Sequence, residues 1–142
     1  MARQARNGSA RRIANRLVGA AVRVGLGPRG TYLMTVAGRT SGVPRTTPVI
    51  LVRHDGSSWL VAPYGEVAWV RNVRSAGSVT VRRGRRVDAL TAEEVGVDSA
   101  APVLRAYLRE VPFVRPFVEA RPDDDLEVYK AIAPRHPVFR LS

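Results

Sequence analysis

Residues 31–62 read TYLMTVAGRTSGVPRTTPVILVRHDGSSWLVA, and this stretch decides the fold. Thr31 to Val36 is rich in aromatic and β-branched residues and predicts a strand, Gly38 to Gly42 a tight turn, and Arg45 to Arg53 a second strand opening after Pro44. His54, Asp55, Gly56 and Ser57 form the next turn, because Asp-Gly is a strong hairpin signal, and Ser58 to Ala62 follows as a third antiparallel strand. Working outward, Glu66 to Arg74 carries Val67, Val70 and Val73 on a helical stripe that Gly77 stops. Ser78 to Arg83 and Arg85 to Thr91 make another hairpin about Gly84. A helix capped by Asp98 or Ser99 is expected through Leu108, a short helix at Asp125 to Ala131, and a last strand at Val138 to Leu141. There is no alternating βαβ series, so the class is mainly β or α+β: a small antiparallel barrel with flanking helices.

Ahead of the strands, Met1 to Ser9 reads as a disordered basic arm, and residues 10–142 as one domain. Ile13, Ala14, Leu17, Val18, Ala21 and Val22 recur at helical spacing with arginines largely opposite, a basic amphipathic helix suited to packing on its own domain or to lying on an anionic membrane surface. The formal charge is +11, and of 23 basic residues only Lys130 is lysine. Such a field favours anionic partners. Absence of cysteine excludes disulfides and thiol chemistry. No apolar run reaches the ~18 residues of a membrane span, which leaves a cytoplasmic location or a peripheral one on the inner face of the cell membrane.

Few residues suggest bond-making chemistry. His54 and His136 lack the carboxylate partners of a metal site, and no metal is expected. Asp123, Asp124 and Asp125 read as a helix start. No serine has a nucleophile elbow or a local base, which speaks against a hydrolase. The turn Gly38 to Pro48 is different. It combines glycines, the hydroxyls of Thr40, Ser41 and Thr46, and the guanidinium groups of Arg39 and Arg45, all suited to phosphate oxygens. By composition alone an ordinary polar turn fits as well.

This turn, the Asp55-Gly56 hairpin, the strand Trp59-Leu60-Val61-Ala62, the loop Pro63-Tyr64-Gly65 and the helix from Trp69 to Arg74 together resemble the deazaflavin-dependent nitroreductase family, from about Thr31 to Thr91. The resemblance implies a split β-barrel that binds coenzyme F420, an 8-hydroxy-5-deazaflavin with an anionic tail, in a groove beside the barrel. It implies that Arg39, Thr40, Ser41, Arg45 and Thr46 hold the phosphate, that Pro48, Ala62, Pro63 and Gly65 lie along the groove, and that Trp69 and Asn72 close it. The implied activity is hydride transfer from the reduced coenzyme to a quinone, nitro compound or other lipophilic acceptor, with Tyr64 the residue nearest to a catalytic role. Many members carry lysine where this chain has Thr40, and serine then lysine where it has Pro63 and Tyr64. Those differences, with the Phe113 and Phe117 segment, motivate a second expectation: a non-catalytic member holding a fatty acid at a membrane surface. A homodimer is expected by analogy. The Arg82 to Arg86 hairpin tip has no base-reading helix or aromatic platform beside it, so no nucleic-acid partner is expected.

Overall fold

The computed structural model describes residues 30–142, and the basic arm and amphipathic helix lie outside the described residues. The strands are β1 (Thr31–Ala37), β2 (Pro44–His54), β3 (Ser57–Val61), β4 (Ser78–Arg83), β5 (Arg86–Glu94) and β6 (Val138–Leu141). The helices are α1 (Ala68–Ala76), α2 (Val97–Glu110) and α3 (Leu126–Ile132), with 3-10 turns at Pro112–Phe117 and Ala133–Arg135. The strands close into one antiparallel barrel in the order β1-β2-β3-β6-β5-β4, flanked by the three helices. Among the described residues, no helix is long and apolar enough to cross a membrane.

Register shows that β2 divides its length between two neighbours within the closed barrel. β2 pairs with β1 from Pro44 to Ile50, but with β3 only from Leu51 to His54. Its first half is therefore an edge, which accommodates Pro44 and Pro48 because no second ladder asks for their missing N–H groups. The far strand β6 inserts between β3 and β5, pairing Leu60 with Phe139 and Ala92 with Leu141.

The strand β3 is buried on both faces. Leu60 belongs to the barrel interior with Met34, Val81 and Phe139, whereas Trp59 and Val61 face a second core with Leu104, Tyr107 and Leu108 of α2 and Tyr129 of α3. Val70 and Val73 of α1 join the interior cluster. Successive residues of a strand point oppositely, so five short residues serve two cores.

Several boundaries differ from the sequence expectation. The first helix starts at Ala68 rather than Glu66, after Val67 in an extended conformation. β5 continues past Thr91 to Glu94 because Ala92, Glu93 and Glu94 pair with β6, a non-local demand that local propensity does not carry. Neither Asp98 nor Ser99 caps α2. Gly96 occupies the cap position without a side-chain bond, and Asp98 stands in the first turn. Asp125 does cap α3, accepting from the Val128 N–H at 3.3 Å. Pro112–Phe117, to which the sequence reading assigns no element, forms a 3-10 turn with proline at its start.

Candidate functional site

The β1–β2 turn is held by its own backbone. The Gly38 N–H donates to Val43 O at 2.9 Å and the Gly42 N–H to Gly38 O at 2.8 Å, with Gly42 at φ 73°, a left-handed conformation that favours glycine. Ser41 Oγ accepts from the Val43 N–H at 3.2 Å, a bond that does not consume its own O–H donor. A Cβ on Gly38 would lie 3.1 Å from Val43 O, 3.3 Å from Ser41 Oγ and 3.9 Å from Arg45 Nε. The bare Gly38 thus leaves room where the Ser41 hydroxyl and the Arg45 guanidinium approach one another.

Helix α1 faces this turn. The buried Asn72 accepts two bonds on Oδ1, from the Arg39 backbone N–H at 3.1 Å and from Arg39 Nη1 at 2.9 Å, and Ala68 O accepts from the same Nη1 at 3.4 Å. Trp69 leans on Phe139 of the barrel with ring centroids 6.4 Å apart. Turn, β2 edge and helix enclose a pocket of about 850 Å³.

Seven residues singled out in the sequence line this pocket: Arg39, Thr40, Ser41, Arg45, Thr46, Trp69 and Asn72. Gly38, Pro44, Thr47, Val67 and Ala68 complete the wall. Sequence reasoning gives no site role to Thr47, Val67 or Ala68, although Thr47 lies in the Gly38 to Pro48 turn and Val67 on the helical stripe. Among the described residues, no carboxylate lines the pocket. Two arginines, four hydroxyls and no opposing charge make a donor set that fits a phosphate or another multivalent oxyanion.

Pro48, Ala62, Pro63, Tyr64 and Gly65 stand outside that wall. Pro48 pairs with Leu33 in the β1–β2 ladder, Ala62 is wholly enclosed in the barrel cluster, and Pro63 is buried. Tyr64 is exposed and meets Phe117 edge to face, on a loop that reaches the pocket wall at Val67. Phe113 and Phe117 are 58% and 55% exposed, while Val111, Val114 and Val118 of the same segment are buried, so the segment is at once core and surface. Beneath lies Tyr107, whose phenol is pushed well above its ordinary range by burial, with Tyr64 adding to the effect. It stays protonated across physiological pH. His136 underlies the Tyr64 loop, its Nδ1 3.4 Å from Ala62 O, and burial lowers its pKa against the opposing pull of the Ala62 and Pro63 carbonyls.

The arginine-rich hairpin tip is remote from the pocket. Arg82 pairs with Leu33 and Arg83 Nη1 donates to Thr31 O at 2.8 Å, at the end of β1 opposite the turn.

Comparison with known proteins places this geometry. Residues 9–114 match the family model described as F420H(2)-dependent quinone reductase. Among solved structures, a chain described as a domain-swapped dimer aligns over 96% of this chain and 98% of its own at 20% identity and TM-score 0.59. An F420-H2 dependent reductase aligns over 80% and 95% at 22% identity and TM-score 0.58. A heme storage protein from Vibrio cholerae aligns over 80% and 81% at 12% identity and TM-score 0.55. At such identities the likeness is one of fold, the split barrel. No protein of curated function matches the chain in sequence.

Proposed function

The chain belongs to the F420H(2)-dependent quinone reductase family, and from that membership we propose that it binds coenzyme F420 in the pocket between the β1–β2 turn and α1 and uses its reduced form to reduce a quinone or similar lipophilic acceptor. The observation that carries the reading is the charge of the wall: among the described residues it holds Arg39 and Arg45 with four hydroxyls and no carboxylate. Arg39, Arg45 and the hydroxyls of Thr40, Ser41 and Thr46 would hold the coenzyme phosphate, and Trp69 would supply an aromatic wall. When bound, the reduced deazaflavin supplies the hydride from its own ring carbon.

What remains for the protein is to bind, orient and exclude water. The Tyr64 loop, continuous with the pocket wall at Val67, is the part of the rim that would meet the acceptor, with Pro63 and Gly65 shaping its path. Pro48 and Ala62 would support the groove from the barrel side. The second reading, a fatty-acid-binding member at a membrane surface, draws on exposed Phe113 and Phe117 beside Tyr64. The domain-swapped neighbour supports a homodimer.

Titrating the purified protein with coenzyme F420 and following its fluorescence tests the reading, together with the oxidation rate of the reduced coenzyme in the presence of a soluble quinone. Saturable binding with quinone-dependent oxidation is the expected result. No saturation at micromolar coenzyme, with an acyl chain found on the protein by native mass spectrometry, would replace it with the second reading.

A further inference from the structure

We propose that Asn72 is a positioning residue of the anion cradle, whose neutral amide fixes Arg39 without cancelling its charge. The proposal rests on the pocket being an anion site, and it adds how that site keeps its field.

Helix α1 takes part in two arginine clamps of opposite design. Arg74, on the helix itself, is answered by carboxylates: its Nε and Nη2 donate to Glu94 at 2.6 and 2.8 Å, and its Nη1 to Glu66 at 2.8 Å. That arginine is neutralised. Arg39 comes from the facing turn and, among the described residues, is answered by amide and carbonyl oxygens, with Asn72 Oδ1 taking its backbone N–H and its Nη1 and Ala68 O sharing the latter. Asn72 is only 6% exposed, so its oxygen is a fixed acceptor rather than a mobile surface group.

A carboxylate at position 72 would grip the guanidinium harder, since charge-assisted bonds are the stronger kind, but it would set a negative charge at the pocket wall. An amide gives up part of that strength and leaves the positive charge available to an incoming anion. Fixing the backbone N–H and the side chain of the same residue on one oxygen also removes rotamer freedom that a ligand would otherwise have to quench. Asn72 thus acts through Arg39.

Two variants separate orientation from charge. Asn72→Ala removes the clamp and keeps the charge, whereas Asn72→Asp keeps a clamp and cancels the charge. Each is titrated with coenzyme F420 and, separately, with inorganic pyrophosphate, at several salt concentrations. Rotation of the Arg39 guanidinium is followed by nitrogen-15 NMR, and circular dichroism checks that each variant is folded. Asn72→Ala is expected to free the rotation and weaken both ligands about tenfold with an unchanged salt dependence. Asn72→Asp is expected to keep the rotation slow, yet to weaken both about a hundredfold and to flatten the salt dependence.

Equal affinity of Asn72→Asp and the parent would overturn the proposal, as would unchanged rotation and affinity in Asn72→Ala. If the parent binds pyrophosphate but not the coenzyme, the functional reading fails, and the pyrophosphate series and the rotation still decide the role of Asn72. A parent that binds neither ligand overturns both.

Discussion

Tyr64 and Phe117 meet edge to face, their ring centroids 4.9 Å apart and their planes at 86°, so that the loop after β3 is joined to the 3-10 turn after α2. Such a pair is worth about 0.5–1.5 kcal/mol beyond its burial, and less where both rings face water. Phe117→Ala is therefore expected to lower stability by less than about 1 kcal/mol. Because Tyr64 stands outside the pocket wall, the variant should raise KM for a quinone while leaving coenzyme affinity unchanged. Steady-state kinetics with the quinone varied, beside a fluorescence titration of the coenzyme, checks this. An equal loss of coenzyme affinity would place the ring pair in the coenzyme site instead.

Much of the barrel was legible because its signals are local. Asp55 adopts φ 51° and Gly56 φ 72°, the left-handed pair that an Asp-Gly hairpin turn requires, and Val138 to Leu141 is a strand as its residues suggest. What escaped local reading depends on partners distant in the chain. β5 reaches Glu94 only because β6 arrives to pair with it, and no feature of residues 92–94 announces that. The same holds at the site. The turn can be read from its arginines and hydroxyls, but the reach of Asn72 to Arg39 spans 33 residues and depends on how α1 is laid against the turn. Resemblance supplied Asn72 as a member of the helix motif, and the structure supplies its partner.

Gly38 offers a steric test of the cradle. Its backbone is not left-handed, so alanine would not be strained there, but the new methyl would press on Val43 O at 3.1 Å and Ser41 Oγ at 3.3 Å. Gly38→Ala is expected to fold with little change in melting temperature and to bind coenzyme F420 roughly tenfold more weakly, or about 1.4 kcal/mol. Parent-like affinity would mean that the ligand does not use this corner.

Arg39 and Arg45 should differ in what their loss does to the fold. Arg39→Ala strips the guanidinium donor from the buried Asn72 oxygen, leaving only the backbone N–H, and is expected to cost about 1 kcal/mol, whereas Arg45→Ala, at an exposed position on the β2 edge, should stay within about 0.5 kcal/mol. Together they should cost the coenzyme at least a hundredfold in affinity, since each charged hydrogen bond is worth about 1.5–3 kcal/mol. Denaturant unfolding and coenzyme titration on the single and double variants measure both effects. Equal stability losses at the two positions would contradict the clamp.

The buried His136 gives the protein an acid-sensitive seam under the Tyr64 loop. Its folded pKa is lowered from 6.5, first by burial and further by Arg135, while the carbonyls of Ala62 and Pro63 and the carboxylate of Glu119 pull the other way. A histidine with a lowered folded pKa binds fewer protons in the native state than in the unfolded chain as pH falls through about 6.5. Protonation therefore favours unfolding, and the contribution of this group to stability falls from about pH 6.5 down to its folded pKa and is level below it. His136→Gln keeps a polar side chain near Ala62 O and removes the titration. Between about pH 7.5 and 5.5 the melting temperature of the parent should drop by a few degrees more than that of the variant. Parallel curves would show that the folded protein takes up this proton as readily as the unfolded chain, the Ala62 and Pro63 carbonyls and Glu119 offsetting the burial.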